Sequence, residues 1–89
     1  MKHANIAISG LVQGVFFRYN VKTKADELNI YGWARNGADG KVYLEAEGEE
    51  KNLDKFIDFC RQSPGASRVE KVDCDLSSSI KGFNDFYIY

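Results

Sequence analysis

The sequence has few of the side chains from which enzymes most often build metal sites or activated nucleophiles. Its 89 residues include one histidine, His3, and two cysteines, Cys60 and Cys74, which form no Cys-x-x-Cys motif. No group of histidine, cysteine and acidic residues has metal-ligand spacing, so we expect neither a metal nor a cofactor. Because His3 lies near the start of the chain, a Ser-His or Cys-His nucleophile is not expected either.

The chain also lacks a strong charge of one sign and a long apolar run. Its formal net charge is −1, which gives no general attraction to nucleic acid or to an anionic membrane. No apolar run approaches the roughly 20 residues of a membrane-spanning helix, and the N-terminus has no signal-peptide core. We therefore expect one domain over residues 1–89, located in the cytoplasm with reduced cysteines. Any anion site must be built locally.

Hydrophobic periodicity predicts alternating strands and helices. Strands are predicted over residues 4–12, 31–36, 41–47 and 69–76, with a short last strand at Phe86 and Ile88, and helices from near residues 18–21 to 29 and over 49–61. On the third strand, Val42, Leu44 and Ala46 are predicted to face inward and Tyr43, Glu45 and Glu47 outward. The order β-α-β-β-α-β predicts a ferredoxin-like α+β sandwich, with both helices on one face of a mostly antiparallel four- to five-stranded sheet.

The loop between the first strand and the first helix is a candidate anion site. It runs Gly10-Leu11-Val12-Gln13-Gly14-Val15-Phe16-Phe17-Arg18. The first amides of a helix have no partner within the helix, so a phosphate placed there gains several hydrogen bonds. Gly14 permits a tight turn, and Arg18 adds a charged, planar donor. From spacing alone, an ordinary connection with a surface arginine remains the alternative. We expect Phe16 and Phe17 to separate, one into the core and one near the rim of the site.

Two segments together resemble the signatures of the acylphosphatase family. Residues Gly10 to Arg18 match the loop Gly-x-Val-Gln-Gly-Val-x-Phe-Arg. Residues Gly32 to Gly48 match Gly-aromatic-small-basic-Asn, three residues, Gly-x-Val, five residues, Gly, without a gap. The resemblance extends to the overall length and the order of the elements, so it covers nearly the whole chain.

This resemblance implies a metal-free hydrolase that cleaves the carboxyl–phosphate bond of small-molecule acyl phosphates. Arg18 is expected to bind the phosphate and Asn36 to hold the attacking water. In the family, the substrate phosphate is proposed to accept the proton of that water, whereas the sequence itself does not identify the acceptor. The phosphate cradle is expected to consist of the backbone amides of Gln13, Gly14, Val15, Phe16, Phe17 and Arg18. We expect the protein to be a monomer with no nucleic-acid or membrane partner. By strand alternation, Arg35 should point to the sheet face opposite that of its neighbour Asn36, as a surface charge.

Three other functions are compatible with such a fold. An RNA-binding module would need paired aromatics on a basic sheet face, whereas Tyr43 is flanked by Glu45 and Glu47. A domain that binds a carbamoyl or acyl phosphate for a partner protein usually lies within a longer chain, so the short length favours an independent enzyme. An inactive relative that retains the motifs is the third possibility.

Overall fold

Five strands form one sheet against which two helices pack. The computed structural model describes residues 1–89, with β1 (Lys2–Leu11), α1 (Phe17–Leu28), β2 (Tyr31–Asn36), β3 (Val42–Gly48), α2 (Glu50–Arg61), β4 (Arg68–Ser77) and β5 (Phe86–Ile88). The strand order is β4-β1-β3-β2-β5. The β2–β5 pair is parallel, and the other neighbours are antiparallel. The predicted ferredoxin-like α+β fold is confirmed.

The core lies between the helices and the inward face of the sheet. In α2, apolar residues at helical spacing are buried: Leu53, Phe56, Ile57 and Cys60. They meet the inward residues of β3, which are the predicted Val42, Leu44 and Ala46. Burial raises the pKa of the Cys60 thiol to about 12, so this side chain packs as a neutral apolar group. Neither helix has the length and the apolar character that crossing a membrane requires.

A β-bulge in β4 explains why Val69 is out of phase with the apolar face of that strand. The pairing of β1 with β4 shifts between Ser9 and Gly10, so that Ser9 lies opposite Lys71 and Gly10 opposite Val69. One extra residue on one strand reverses the alternation of side chains beyond it. Gly10 permits this close approach, since a Cβ there would lie 2.1 Å from the Arg68 carbonyl oxygen.

Glu47 is predicted to face outward, but the structure shows that its side chain is shielded from solvent. Glu47 is only 1% exposed, because the segment before β5 covers this end of the sheet. The amides of Lys81, Gly82 and Phe83 donate hydrogen bonds to its carboxylate. Nδ1 of His3 lies 2.7 Å from Oε2 of Glu47. Burial raises the pKa of Glu47, but these hydrogen bonds outweigh burial and leave the pKa below its ordinary value.

Substituting Glu47 by glutamine is expected to lower the free energy of unfolding by about 2–4 kcal/mol, because both carboxylate oxygens accept hydrogen bonds and one of them becomes an amide NH2 group, which cannot accept. Urea unfolding measures the loss, and Glu70→Gln, at an exposed position on β4, should change the value by less than about 0.5 kcal/mol. Since the folded pKa lies below the value of 4.5 for an unperturbed Glu, the contribution of Glu47 is present above that pH and lost as pH falls. A difference that persists undiminished in strong acid would contradict this role.

Candidate functional site

The loop after β1 enters α1 through two residues in the left-handed conformation. Gly14 has φ +74°, and Phe16, which is the N-cap residue, has φ 58° and ψ 24°. No side chain caps this helix end, and no acidic residue lies in its first turn. The partial positive charge of the helix N-terminus is therefore not neutralised by the protein itself.

The backbone amides of this loop are available to a ligand. None of the N–H groups from Gln13 to Phe16 donates a hydrogen bond to a backbone carbonyl. The amides of Phe17 and Arg18 belong to the first turn of α1, where helix geometry supplies no acceptor. Several amide donors in sequence at a helix N-terminus are the arrangement that binds phosphate and other anions.

A cavity of about 160 Å³ lies at this helix end. It is lined by Val12, Gly14, Phe16, Phe17, Arg18 and Tyr19. The two phenylalanines separate as predicted, since Phe17 is 1% exposed in the core and Phe16 is 76% exposed. Arg18 is the only charged residue in the lining. The cavity is therefore suited to a small anion.

The guanidinium of Arg18 is oriented from the far end of the chain. Its Nη1 donates a hydrogen bond to the backbone carbonyl of Tyr89, which follows β5. The amide of Tyr89 in turn donates to the carbonyl of Ala34 on β2, at 2.9 Å. No local sequence pattern predicts this contact, because Arg18 and Tyr89 are 71 positions apart.

Asn36 lies at the end of β2, opposite Val42 on β3, and its side chain is exposed. It is not among the residues that line the cavity. The side chain of Gln13 connects the two regions, since its Nε2 donates to the carbonyls of Gly37 at 2.8 Å and Lys41 at 2.9 Å. The loop that carries the free amides is thus tied to the turn that begins directly after Asn36.

The β2–β3 turn is itself braced by Asp39. The hydroxyl of Tyr43 and the amide of Lys41 both donate to its carboxylate. The Tyr43 hydrogen bond, followed by that of the Lys41 amide, holds the pKa of Asp39 below its ordinary value. The turn that receives Gln13 therefore has a defined shape near neutral pH. Sequence reasoning considered Gln13 only as a backbone amide and did not anticipate its side-chain contacts.

Replacing Gln13 by methionine is expected to lower the free energy of unfolding by about 1–2 kcal/mol, because two hydrogen bonds are lost while the length of the side chain is kept. Turnover should fall as well, since a small displacement of positioned groups can lower a rate severely. Urea unfolding and steady-state kinetics measure the two effects. Gln62→Met is the matched control at an exposed position after α2. Equal stability and turnover of the two variants would contradict the bridging role.

Three larger cavities lie elsewhere. One, of about 230 Å³, contains Lys24 and Lys55 but lies along the two helices, where the backbone amides are bonded within each helix. The other two are lined by carboxylates that disfavour a phosphate. One of about 390 Å³ beside α2 and β4 contains Asp54 and Asp58. The other, of about 270 Å³, lies on the open face of the sheet and contains Glu45, Asp73 and Asp75. Arg35 also lies there, as predicted from strand alternation, with its guanidinium carbon 5.0 Å from the ring centre of Tyr43 and 5.7 Å from that of Trp33.

Comparison with known proteins identifies close relatives. The acylphosphatase family model matches residues 4–88. An acylphosphatase from Acaryochloris marina is 47% identical over 81 residues, which are 91% of this chain and 86% of the relative. The crystal structure of acylphosphatase from Bacillus subtilis superposes with a TM-score of 0.97 at 36% identity, covering 100% of this chain and 99% of that chain. Full-length HypF in a phosphate- and nucleotide-bound form also superposes, with a TM-score of 0.90 at 34% identity, covering 99% of this chain and 12% of that chain.

Proposed function

We propose that this chain, which belongs to the acylphosphatase family and hydrolyses acyl phosphates, binds the substrate phosphate with Arg18 and the backbone amides of residues 13–18 and positions the attacking water with Asn36. The observation that carries the assignment is the carboxylate-free cavity at the N-terminus of α1. There, Arg18 is the only charged side chain, and a run of backbone amides has no backbone partner. Both kinds of donor favour phosphate oxygens.

The reaction transfers the phosphoryl group to water. The water oxygen bonds to phosphorus as the phosphorus–oxygen bond to the acyl group breaks, and the products are a carboxylate and inorganic phosphate. The leaving carboxylate has a conjugate acid with a pKa of about 4, so no general acid is needed. The transition state is loose and spreads charge over the equatorial oxygens of the phosphoryl group. Preorganised amides and a guanidinium stabilise that charge.

The remaining requirement is an oriented water. The amide oxygen of Asn36 can accept a hydrogen bond from the water and direct its oxygen toward phosphorus. The proton that the water loses passes to an oxygen of the substrate phosphate, so the products are a carboxylate and a protonated phosphate. His3 does not serve as the base in this scheme, since it is buried between Glu45 and Glu47.

We also propose that residues 1–89 act as a single domain and as a monomer in the cytoplasm, without a nucleic-acid partner and without metal. The net charge of −1 supports the absence of a nucleic-acid partner. A solution mass near the chain mass of 10.1 kDa, measured by light scattering at the concentrations used for kinetics, is the expected result. A stable dimer would contradict the proposed monomer.

Hydrolysis of benzoyl phosphate in ¹⁸O-labelled water with excess EDTA tests the function and the bond that is cleaved. We expect full turnover in EDTA, with one labelled oxygen in the phosphate and none in the benzoate. Label in the benzoate would show attack at the carbonyl carbon and would contradict in-line attack on phosphorus. A folded protein without turnover would instead favour a phosphate-binding domain that needs a partner.

A further inference from the structure

Two aromatic side chains at the mouth of the phosphate cavity project into solvent. Phe16 is 76% exposed and Tyr19 is 58% exposed. Their ring centroids lie 6.1 Å apart at an interplanar angle of 54°, and both residues line the same cavity as Arg18. An apolar surface therefore adjoins the one charged side chain of the site.

Neither the backbone nor the core accounts for a phenylalanine at position 16. The left-handed conformation of Phe16 is unfavourable for a bulky residue. An N-cap position favours Ser, Thr, Asp or Asn, whose side chains can bond to the helix amides. The core does not need this ring, because Phe17 fills the buried position. The backbone conformation, the N-cap position and the core thus give the exposed ring of Phe16 no role, whereas a contact with a bound ligand would.

The position of the phosphate determines what that contact is. If Arg18 and the loop amides hold the phosphate, the acyl group on the other side of the bridging oxygen extends away from them. The cavity of about 160 Å³ is smaller than the roughly 300–1,000 Å³ of pockets that enclose a whole organic ligand. The acyl group therefore lies at the mouth, where the apolar surfaces are those of Phe16 and Tyr19.

We propose that Phe16 and Tyr19 form an acyl-binding subsite that favours acyl phosphates with aromatic or other large apolar acyl groups over acetyl phosphate. The proposal rests on the proposed function, since it requires the phosphate at Arg18. An aromatic acyl group can pack in tilted or offset contact with the two rings, at centroid separations of about 4.5–7 Å. These contacts are made equally in the ground state and the transition state, so they act mainly on KM.

The test is the ratio of kcat/KM for benzoyl phosphate to kcat/KM for acetyl phosphate, measured in the parent and in variants. The intrinsic reactivity of each substrate is the same for every variant, so a change in the ratio reports contacts with the acyl group. Tyr19→Ala and Phe16→Asn should each lower the ratio about five- to tenfold, the low end for loss of an apolar contact. Asparagine tolerates the left-handed conformation, which keeps the loop in shape.

Two further variants separate an apolar contact from an effect on the loop. Phe16→Leu retains a large apolar side chain and should keep most of the ratio. Leu76→Ala removes an exposed apolar side chain on β4 and should leave the ratio unchanged. Equal losses with both substrates, or an unchanged ratio in Tyr19→Ala and Phe16→Asn, would overturn the acyl subsite while leaving the proposed function intact. A folded parent that hydrolyses neither substrate would overturn the proposed function and the subsite together.

Discussion

Replacing Arg18 by alanine is expected to lower kcat/KM for benzoyl phosphate about 100- to 1,000-fold, which is the usual cost of removing one preorganised donor to a developing charge. Arg18 is the only charged residue in the cavity lining, so no other cation is present there to replace it. Inorganic phosphate should also lose affinity as a competitive inhibitor. Steady-state kinetics with phosphate inhibition measure both effects.

Two further substitutions serve as controls for Arg18→Ala. Arg18→Lys keeps the positive charge but lacks the planar fork, so its activity should lie between those of the parent and Arg18→Ala. Arg61→Ala removes an exposed arginine that lies 3.6 Å from Asp58 at the end of α2 and should leave kinetics unchanged. If Arg18→Ala and Arg61→Ala behave alike, Arg18 does not bind the phosphate.

Replacing Asn36 by alanine is expected to separate binding from turnover. The variant should lose about 100-fold in kcat, as a misplaced reactant does, whereas the inhibition constant of inorganic phosphate should remain near that of the parent. The reason is that Asn36 lies outside the lining of the phosphate cavity and is proposed to contact only the water. Steady-state kinetics give kcat, and competitive inhibition by inorganic phosphate gives the inhibition constant, both measured on the same preparation.

The control for this change is Asn5→Ala, which removes an exposed asparagine from β1 and should leave kcat unchanged. Thermal unfolding of both variants verifies that the fold persists, as expected for exposed side chains. A parent-like kcat in Asn36→Ala would show that another group positions the water. A loss of phosphate affinity equal to the loss of kcat would assign Asn36 to phosphate binding instead.

Local sequence patterns predicted the elements well. The strand over 31–36 and the end of the second helix at Arg61 agree with the structure, and the predicted stop at Asn29 is a left-handed C-cap. These features depend on periodicity and on the conformational preferences of single residues. The predicted separation of Phe16 from Phe17 occurs where the chain enters α1, because Phe16 is the left-handed N-cap residue and Phe17 is the first residue of the helix.

The contacts that complete the site could not be predicted in this way. Arg18 and Tyr89 are 71 positions apart, and Gln13 reaches carbonyls 24 and 28 positions away. The burial of Glu47 depends on amides 34 to 36 positions later in the chain. Each of these contacts joins residues that are far apart in the chain, so a short window of sequence cannot predict it.

The location of the phosphate is tested most directly by titrating ¹⁵N-labelled protein with inorganic phosphate and following the amide resonances. We predict saturable shifts concentrated in residues 13–18, retained in Asn36→Ala and lost in Arg18→Ala. Shifts centred instead on Arg35 of the open sheet face or on Arg61 beside α2, with residues 13–18 unchanged, would contradict the assignment of the site.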